Sequence, residues 1–187
     1  MEYPSKILEI IFIVDTSSNM SGYKIGMLNT TIEELLSEIK EIAQTRSMST
    51  VNIRCISYSD NSRWNSLEHV PIQTFRWEYL QASGKCDLGS ALLRLNKFLE
   101  NGNFSVDTYY RPIIFLFNSS YPTDNIKYAM FKLSCADWFK RALKIGVIMG
   151  DDASIDIMKQ FTGTERNILT KLNLEALKKW INFFETR

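Results

Sequence analysis

The feature that most constrains this chain is an alternation repeated along its length. Short apolar runs give way to longer segments whose apolar residues recur at helical spacing. The first run, "KILEIIFIVD" (6–15), ends in nearly continuous apolar residues, the pattern of a strand buried on both faces. In residues 24–44, Ile25, Leu28, Ile32, Leu35, Leu36, Ile39 and Ile42 mark one face of a helix. "STVNIRCISYSD" (49–60) reads as a second strand. "RWNSLEHVPIQTF" (63–75) reads as a third, placed at an edge because Pro71 lacks a ladder donor. A helix follows over 86–101, stopped at Gly102, then the strand "RPIIFLFN" (111–118). Residues 123–142 predict one helix capped by Thr123 or Asp124. The strand "LKIGVIMG", a short helix ending at Gly163, the short strand "RNILTK" and a last helix complete the series. That last helix is expected to be capped by Asn173, with Leu177, Trp180, Ile181 and Phe184 on its apolar face. Such a series predicts a single α/β domain over residues 1–187, a mostly parallel sheet with one antiparallel edge strand and helices on both faces.

Composition narrows the function. There are 22 basic and 21 acidic side chains, a net charge of +1, which provides no field for nucleic acid or an anionic membrane. No apolar run reaches the roughly 20 residues of a membrane span, and the N-terminus does not read as a signal peptide. Cys55, Cys86 and Cys135 are odd in number and widely spaced, which suits reduced thiols and a cytoplasmic protein. His69 is the only histidine, so few catalytic arrangements are open.

In open α/β sheets, ligands bind outside the carboxyl ends of the strands. Three polar clusters fall there or at the start of a helix: "DTSSN" (15–19), "SGKCD" (83–87) and "NSSYPTD" (118–124). With their flanks they read "FIVDTSSNMSG", "ASGKCDLGSAL" and "FLFNSSYPTD". In order and spacing they resemble the three-part signature of the von Willebrand factor type A family. The stretch "FRWEYLQASGKCDLGSAL" is similar to that family's bacterial tellurite-resistance subgroup. The resemblance implies a Rossmann-like three-layer sandwich and a protein-binding role. It also implies a metal-ion-dependent adhesion site at Asp15, Ser17, Asn19, Cys86 and Asn118. From the subgroup follow a stress-response setting and kinase- or phosphatase-associated partners.

The family uses Asp-x-Ser-x-Ser, then Thr, then Asp at these five positions. Asp15 and Ser17 keep the family residue, whereas Asn19, Cys86 and Asn118 depart from it. The two asparagines offer neutral amide oxygens, and a thiol is a soft donor that Mg²⁺ and Ca²⁺ avoid. The expectation is a degenerate site, with Asp15, Ser17, Asn19 and Asn118 binding Mg²⁺ or Mn²⁺ weakly or not at all. Asp87 and Asp124 are the nearby acids available to replace the lost charge, although both also suit helix starts. Asp15 alternatively fixes its loop by accepting backbone N–H bonds.

Enzyme classes fit less well. A phosphatase built on an Asp-terminated first strand needs a second acid two residues on, where Ser17 stands. A dinucleotide enzyme needs GxGxxG and a serine hydrolase GxSxG, and neither is present. A Cys86 nucleophile would need a base, and nothing places His69 near it. Trp64, Trp77 and Trp138 read as half-buried anchors, with Trp77 also a candidate to line the site. The expectation is therefore a non-enzymatic protein-interaction module. The alternative is a metal-dependent adhesion module completed by a partner's carboxylate.

Overall fold

The computed structural model describes residues 6–45, 50–66 and 70–182. The strands are β1 (Leu8–Asp15), β2 (Val51–Tyr58), β3 (Ser62–Trp64), β4 (Val70–Pro71), β5 (Ile113–Asn118), β6 (Leu143–Ile148) and β7 (Ile168–Leu169). They are interleaved with α1 (Tyr23–Thr45), α2 (Leu88–Asn101), α3 (Ile126–Cys135), α4 (Asp137–Arg141), α5 (Ile155–Thr162) and α6 (Leu174–Asn182). The sheet runs β3-β2-β1-β5-β6-β7, with β4 also on β2. β1, β2, β5, β6 and β7 are parallel, while β3 and β4 are antiparallel to β2.

Side chains alternate across the strands, so each strand feeds two cores. Ile10, Phe12 and Val14 face α1 and α6, whereas Ile11 and Ile13 face α2 through α5. Every residue of β1, β2 and β5 is buried, which explains the apolar runs of β1 and β5, while β2 buries Asn52, Arg54 and Ser57 among its apolar residues. Phe12 stacks on Phe115 at 5.4 Å and lies 6.4 Å from Phe117, a ladder of rings under α1. Fully burying each such ring contributes on the order of 2–3 kcal/mol. At Gly146 the helix α5 comes so close that an added Cβ would sit 3.1 Å from Met158.

At the amino end of the sheet lies a buried polar pair. Glu9 Oε2 accepts from Arg54 Nε at 3.0 Å, and Glu9 Oε1 accepts from Asn52 Nδ2 at 2.8 Å. The Arg54 guanidinium lies 4.4 Å from the Phe98 ring centroid, under a cluster that includes Trp64, Phe104 and Trp138.

Several expectations change. The edge expected over 63–75 is two short pieces, β3 and β4, and His69 lies outside the described residues. The helix expected over 123–142 is broken at Ala136, whose backbone is extended, into α3 and α4. Its cap is Asn125, whose Oδ1 accepts from Tyr128 N at 3.2 Å, and not Thr123 or Asp124. The strand in "RNILTK" shrinks to two residues after a 3-10 turn. Asn173 caps α6 through Ala176 N as expected. Leu177 is buried, while the Trp180, Ile181 and Phe184 side chains lie outside the described residues.

The parallel register aligns the strand ends in one row. Asp15 pairs with Tyr58, and Asn118 pairs with Ile148. The loops after β1, β5 and β6, and the one leading into α2, therefore meet at the carboxyl edge.

Candidate functional site

Asp15 ends β1 with no exposed surface. Its Oδ1 accepts from Ser17 N at 2.8 Å. Its Oδ2 accepts from Ser119 N at 2.9 Å and Ser119 Oγ at 2.7 Å, and the Cys86 thiol lies 3.8 Å away. Of these four contacts three crowd Oδ2, the thiol being shared with the Ser120 carbonyl at the same 3.8 Å, while Oδ1 takes one donor. All four are neutral dipoles, and no lysine or arginine pairs with Asp15 among the described residues.

Asn118, also fully buried, is oriented by Tyr58. The Tyr58 hydroxyl donates to Phe117 O at 3.0 Å, so it can only accept from Asn118. Asn118 Nδ2 meets that need at 3.1 Å and also lies 3.5 Å from Cys86 Sγ. Its Oδ1 is left buried without a partner, and so is Ser17 Oγ. Two orphaned acceptors in one site are unusual, because buried polar atoms are nearly always paired.

Cys86 sits between Asp15, Asn118 and the Ser120 carbonyl, 3.8 Å from that oxygen. Burial, and secondarily the Asp15 charge, pushes its thiol up to about 12. Burial and Asp15 likewise hold the Tyr58 phenol well above its ordinary range. Both groups therefore keep their protons and serve as donors. A thiol raised this far is a poor nucleophile, since the thiolate is the reactive form.

The loops are laced to one another. Ser83 N donates to Thr16 O and Ser18 N to Gly84 O, at 2.8 and 2.9 Å. Gly84 is left-handed (φ +77°), and a Cβ there would stand 2.5 Å from Asp60 Oδ2, so only glycine fits. Asp60 Oδ1 accepts from Lys85 N at 3.0 Å. Neither nearby acid replaces the lost charge. Asp124 accepts from Gly89 N and Ser90 N at 2.9 and 2.7 Å, capping α2 from across the edge. Asp87, the expected cap, makes no such bond and instead accepts from Thr123 Oγ1 at 2.6 Å.

Above this floor opens a cleft of about 360 Å³ whose walls include Ser17, Asn19, Lys85, Cys86, Tyr121 and Asp152. Asn19, on a 3-10 turn, is exposed at its rim. The five expected residues thus share one end of the sheet, three of them in its floor. Trp77 does not line the cleft. Its ring packs 6.5 Å from Phe12, and its indole N–H donates to Asn29 Oδ1.

Comparison with solved structures finds this architecture in proteins of low identity. The von Willebrand factor type A protein from Catenulispora acidiphila matches with a TM-score of 0.59 and 12% identity over 94% of this chain. The fold is that of a von Willebrand factor type A domain. The ArnB paralog VWA2 from Sulfolobus acidocaldarius gives a TM-score of 0.62 at 16% identity over 95% of the chain. Proximal thread matrix protein 1 from the mussel byssus, in a structure with a zinc-occupied MIDAS motif, gives 0.64 at 10% over 95%. This chain spans 41%, 44% and 44% of the lengths of these three proteins. At such identities the likeness is one of fold alone. No protein-family model and no curated protein matches the sequence.

Three residues of the site lie outside the five expected positions. Ser119 supplies two of the four donors to Asp15, although it reads in sequence as a plain loop serine. Tyr58 orients Asn118, and the signal was a tyrosine ending a strand in register with Asp15. Asp152 lies in "GDDAS", a polar cluster after β6 of the same kind as the other three.

Proposed function

We propose that this domain is a non-enzymatic protein-interaction module. Its contact face is the carboxyl edge of the sheet, and it engages its partner without a tightly held divalent ion. The engagement of Asp15 by neutral donors carries this reading. The site's one floor carboxylate already accepts from Ser17 and Ser119 and lies beside the Cys86 thiol, so an ion competes with protein donors for it. The remaining donors, Ser17 Oγ, Asn19, Asn118 Oδ1 and the Cys86 thiol, carry no charge to repay the dehydration of Mg²⁺. The fold neighbours support the interaction role, since they include a pilus adhesin, SpaC from Lactobacillus rhamnosus GG.

The resemblance to the tellurite-resistance subgroup extends the proposal to a bacterial, cytoplasmic stress response and a kinase- or phosphatase-associated partner. One observation favours a second reading. Ser17 Oγ and Asn118 Oδ1 are hard oxygen donors without partners, and both stand at family ligand positions. A partner's carboxylate would then complete a weak Mg²⁺ or Mn²⁺ site.

A melting-temperature series in chelator, Mg²⁺, Mn²⁺, Ca²⁺ and Zn²⁺ separates the two. An ion at 100 times its Kd adds about 2.7 kcal/mol of stability. The metal-free reading expects no ion to raise the melting temperature. A rise that Asp15→Ala abolishes would establish the second reading.

A further inference from the structure

We propose that the cleft above Asp15 takes a primary ammonium, the side chain of a lysine on the protein partner, in the place where an intact site of this fold holds a divalent ion. The inference rests on the metal-free reading of this face and names the chemistry of its guest.

Charge balance comes first. An intact site of the family pattern has carboxylates at two positions and suits a divalent ion that reaches on to a partner's acid. Here Asn118 replaces one of them, and the floor carries the single charge of Asp15. One negative charge, buried and met only by neutral donors, matches one positive charge. Asp15 cannot accept many more bonds itself, but it supplies the field.

The open acceptors come next. Ser17 Oγ and Asn118 Oδ1 are buried, unpartnered oxygens in residues 2% and 0% exposed; Ser17 forms part of the cleft wall, while Asn118 lies behind the wall residue Cys86, so Ser17 Oγ is the first acceptor a guest meets. An ammonium brings three N–H donors and no acceptor, the complement of such oxygens. Bonds between a charged donor and these oxygens are stronger than neutral ones. A guanidinium fits less well, because its planar fork seeks a carboxylate with both oxygens free.

The rim agrees. Asp152 lines the cleft and is exposed, and the ring of Tyr121, 63% exposed, stands at the same opening. A carboxylate and an aromatic face are the two groups that attract a lysine before it is dehydrated. Two lysines of the chain lie close. Lys85 lines the cleft, and Lys24 Nζ packs beside Gly150. Neither hydrogen-bonds to Asp15, Ser17 or Asn118. Lys85 opposes a cationic guest, so Lys85→Ala is expected to tighten binding.

The test titrates N-acetyl-lysine methylamide into the full chain in chelator and follows the backbone amide signals of Ser17, Cys86 and Ser119 by NMR. Its Nζ-acetylated form and N-acetyl-glutamate methylamide, the latter with and without Mg²⁺, run in parallel. Saturable shifts are expected at these amides with the lysine probe alone. Asp15→Asn should weaken that binding by about tenfold or more. Asp152→Asn, at an exposed position that cannot disturb the fold, should weaken it about two- to fivefold. No saturable shift, or equal shifts with the acetylated probe, overturns the ammonium and leaves the metal-free reading standing. Shifts with the glutamate probe that require Mg²⁺ overturn both.

Discussion

Two buried acids stand on β1, six residues apart, and they are settled in opposite ways. Glu9, at the amino end, faces a guanidinium at 3.0 Å and lies beneath an aromatic cluster. Asp15, at the carboxyl end, faces only backbone amides, a serine hydroxyl and a thiol. The amino end closes its electrostatics within the chain. The carboxyl end leaves a net charge and two orphaned acceptors beneath an open cleft. A charge that the fold itself neutralises is structural, whereas one held by dipoles alone is available to a guest. On the function proposed above, one end of the strand serves stability and the other recognition.

Breaking the amino end should have the largest effect. Arg54→Met leaves the Glu9 charge buried, and urea unfolding should show a loss of about 3–5 kcal/mol. Replacing both partners, with Glu9→Leu added, should recover more than half of that loss. If the double variant is no better than the single one, the pair is not the unit it is taken to be here.

Asp15→Asn should cost less, about 1–3 kcal/mol, because it removes a charged acceptor without leaving an opposite charge behind. Hydrogen exchange should locate the loss in residues 16–22 and 119–123, with the Phe12–Phe115 core still protected. Loss of protection throughout the sheet would mean that Asp15 serves the fold as Glu9 does.

Asn118→Asp sharpens the contrast in another way. It sets a second carboxylate by Asp15 and Tyr58, which should cost about 1–2 kcal/mol in chelator, or roughly one pKa unit of repulsion. Mn²⁺ should restore that stability in the variant and leave the native chain unchanged.

At neutral pH the smallest effect concerns Cys86. Its thiol rises from an ordinary 9.0 to about 12 in the folded chain, so the unfolded chain loses its proton first. The contribution is present in full below about pH 9 and is lost as pH climbs toward 12. Cys86→Ala should lessen that alkaline decline, to which buried Cys55 and Tyr58 also contribute. In the native chain, exposed Cys135 should be alkylated about tenfold or more faster than buried Cys86.

Much of this was legible in the sequence. The apolar runs of β1 and β5 reflect burial on both faces and the helical spacing of α1 reflects burial on one, which local patterns record. The break at Ala136 was not legible, because nothing in "LSCADWF" forbids a continuous helix and α4 turns there to pack Phe139 against Phe161. The positions of Asp15, Ser17, Asn19, Cys86 and Asn118 could be read from the resemblance. The state of Asp15 could be read only in part: its bond from Ser17 N follows from the alternative of a loop-fixing acid, but its other donors lie 104 residues away at Ser119 and 71 away at Cys86. Asp124 misled for the same reason. It precedes one helix in sequence but caps α2, whose Gly89 leaves no room for a Cβ beside it.

The most direct measurement is a Mn²⁺ titration followed by electron paramagnetic resonance. It compares the native chain with a variant carrying Asn19→Ser, Cys86→Thr and Asn118→Asp, which restores the family residue at each departed position. The restored site is expected to bind Mn²⁺ at least about a hundredfold more tightly than the native one, or about 2.7 kcal/mol. Equal affinities would mean that the three substitutions have left the ion site intact and that the face is not metal-free.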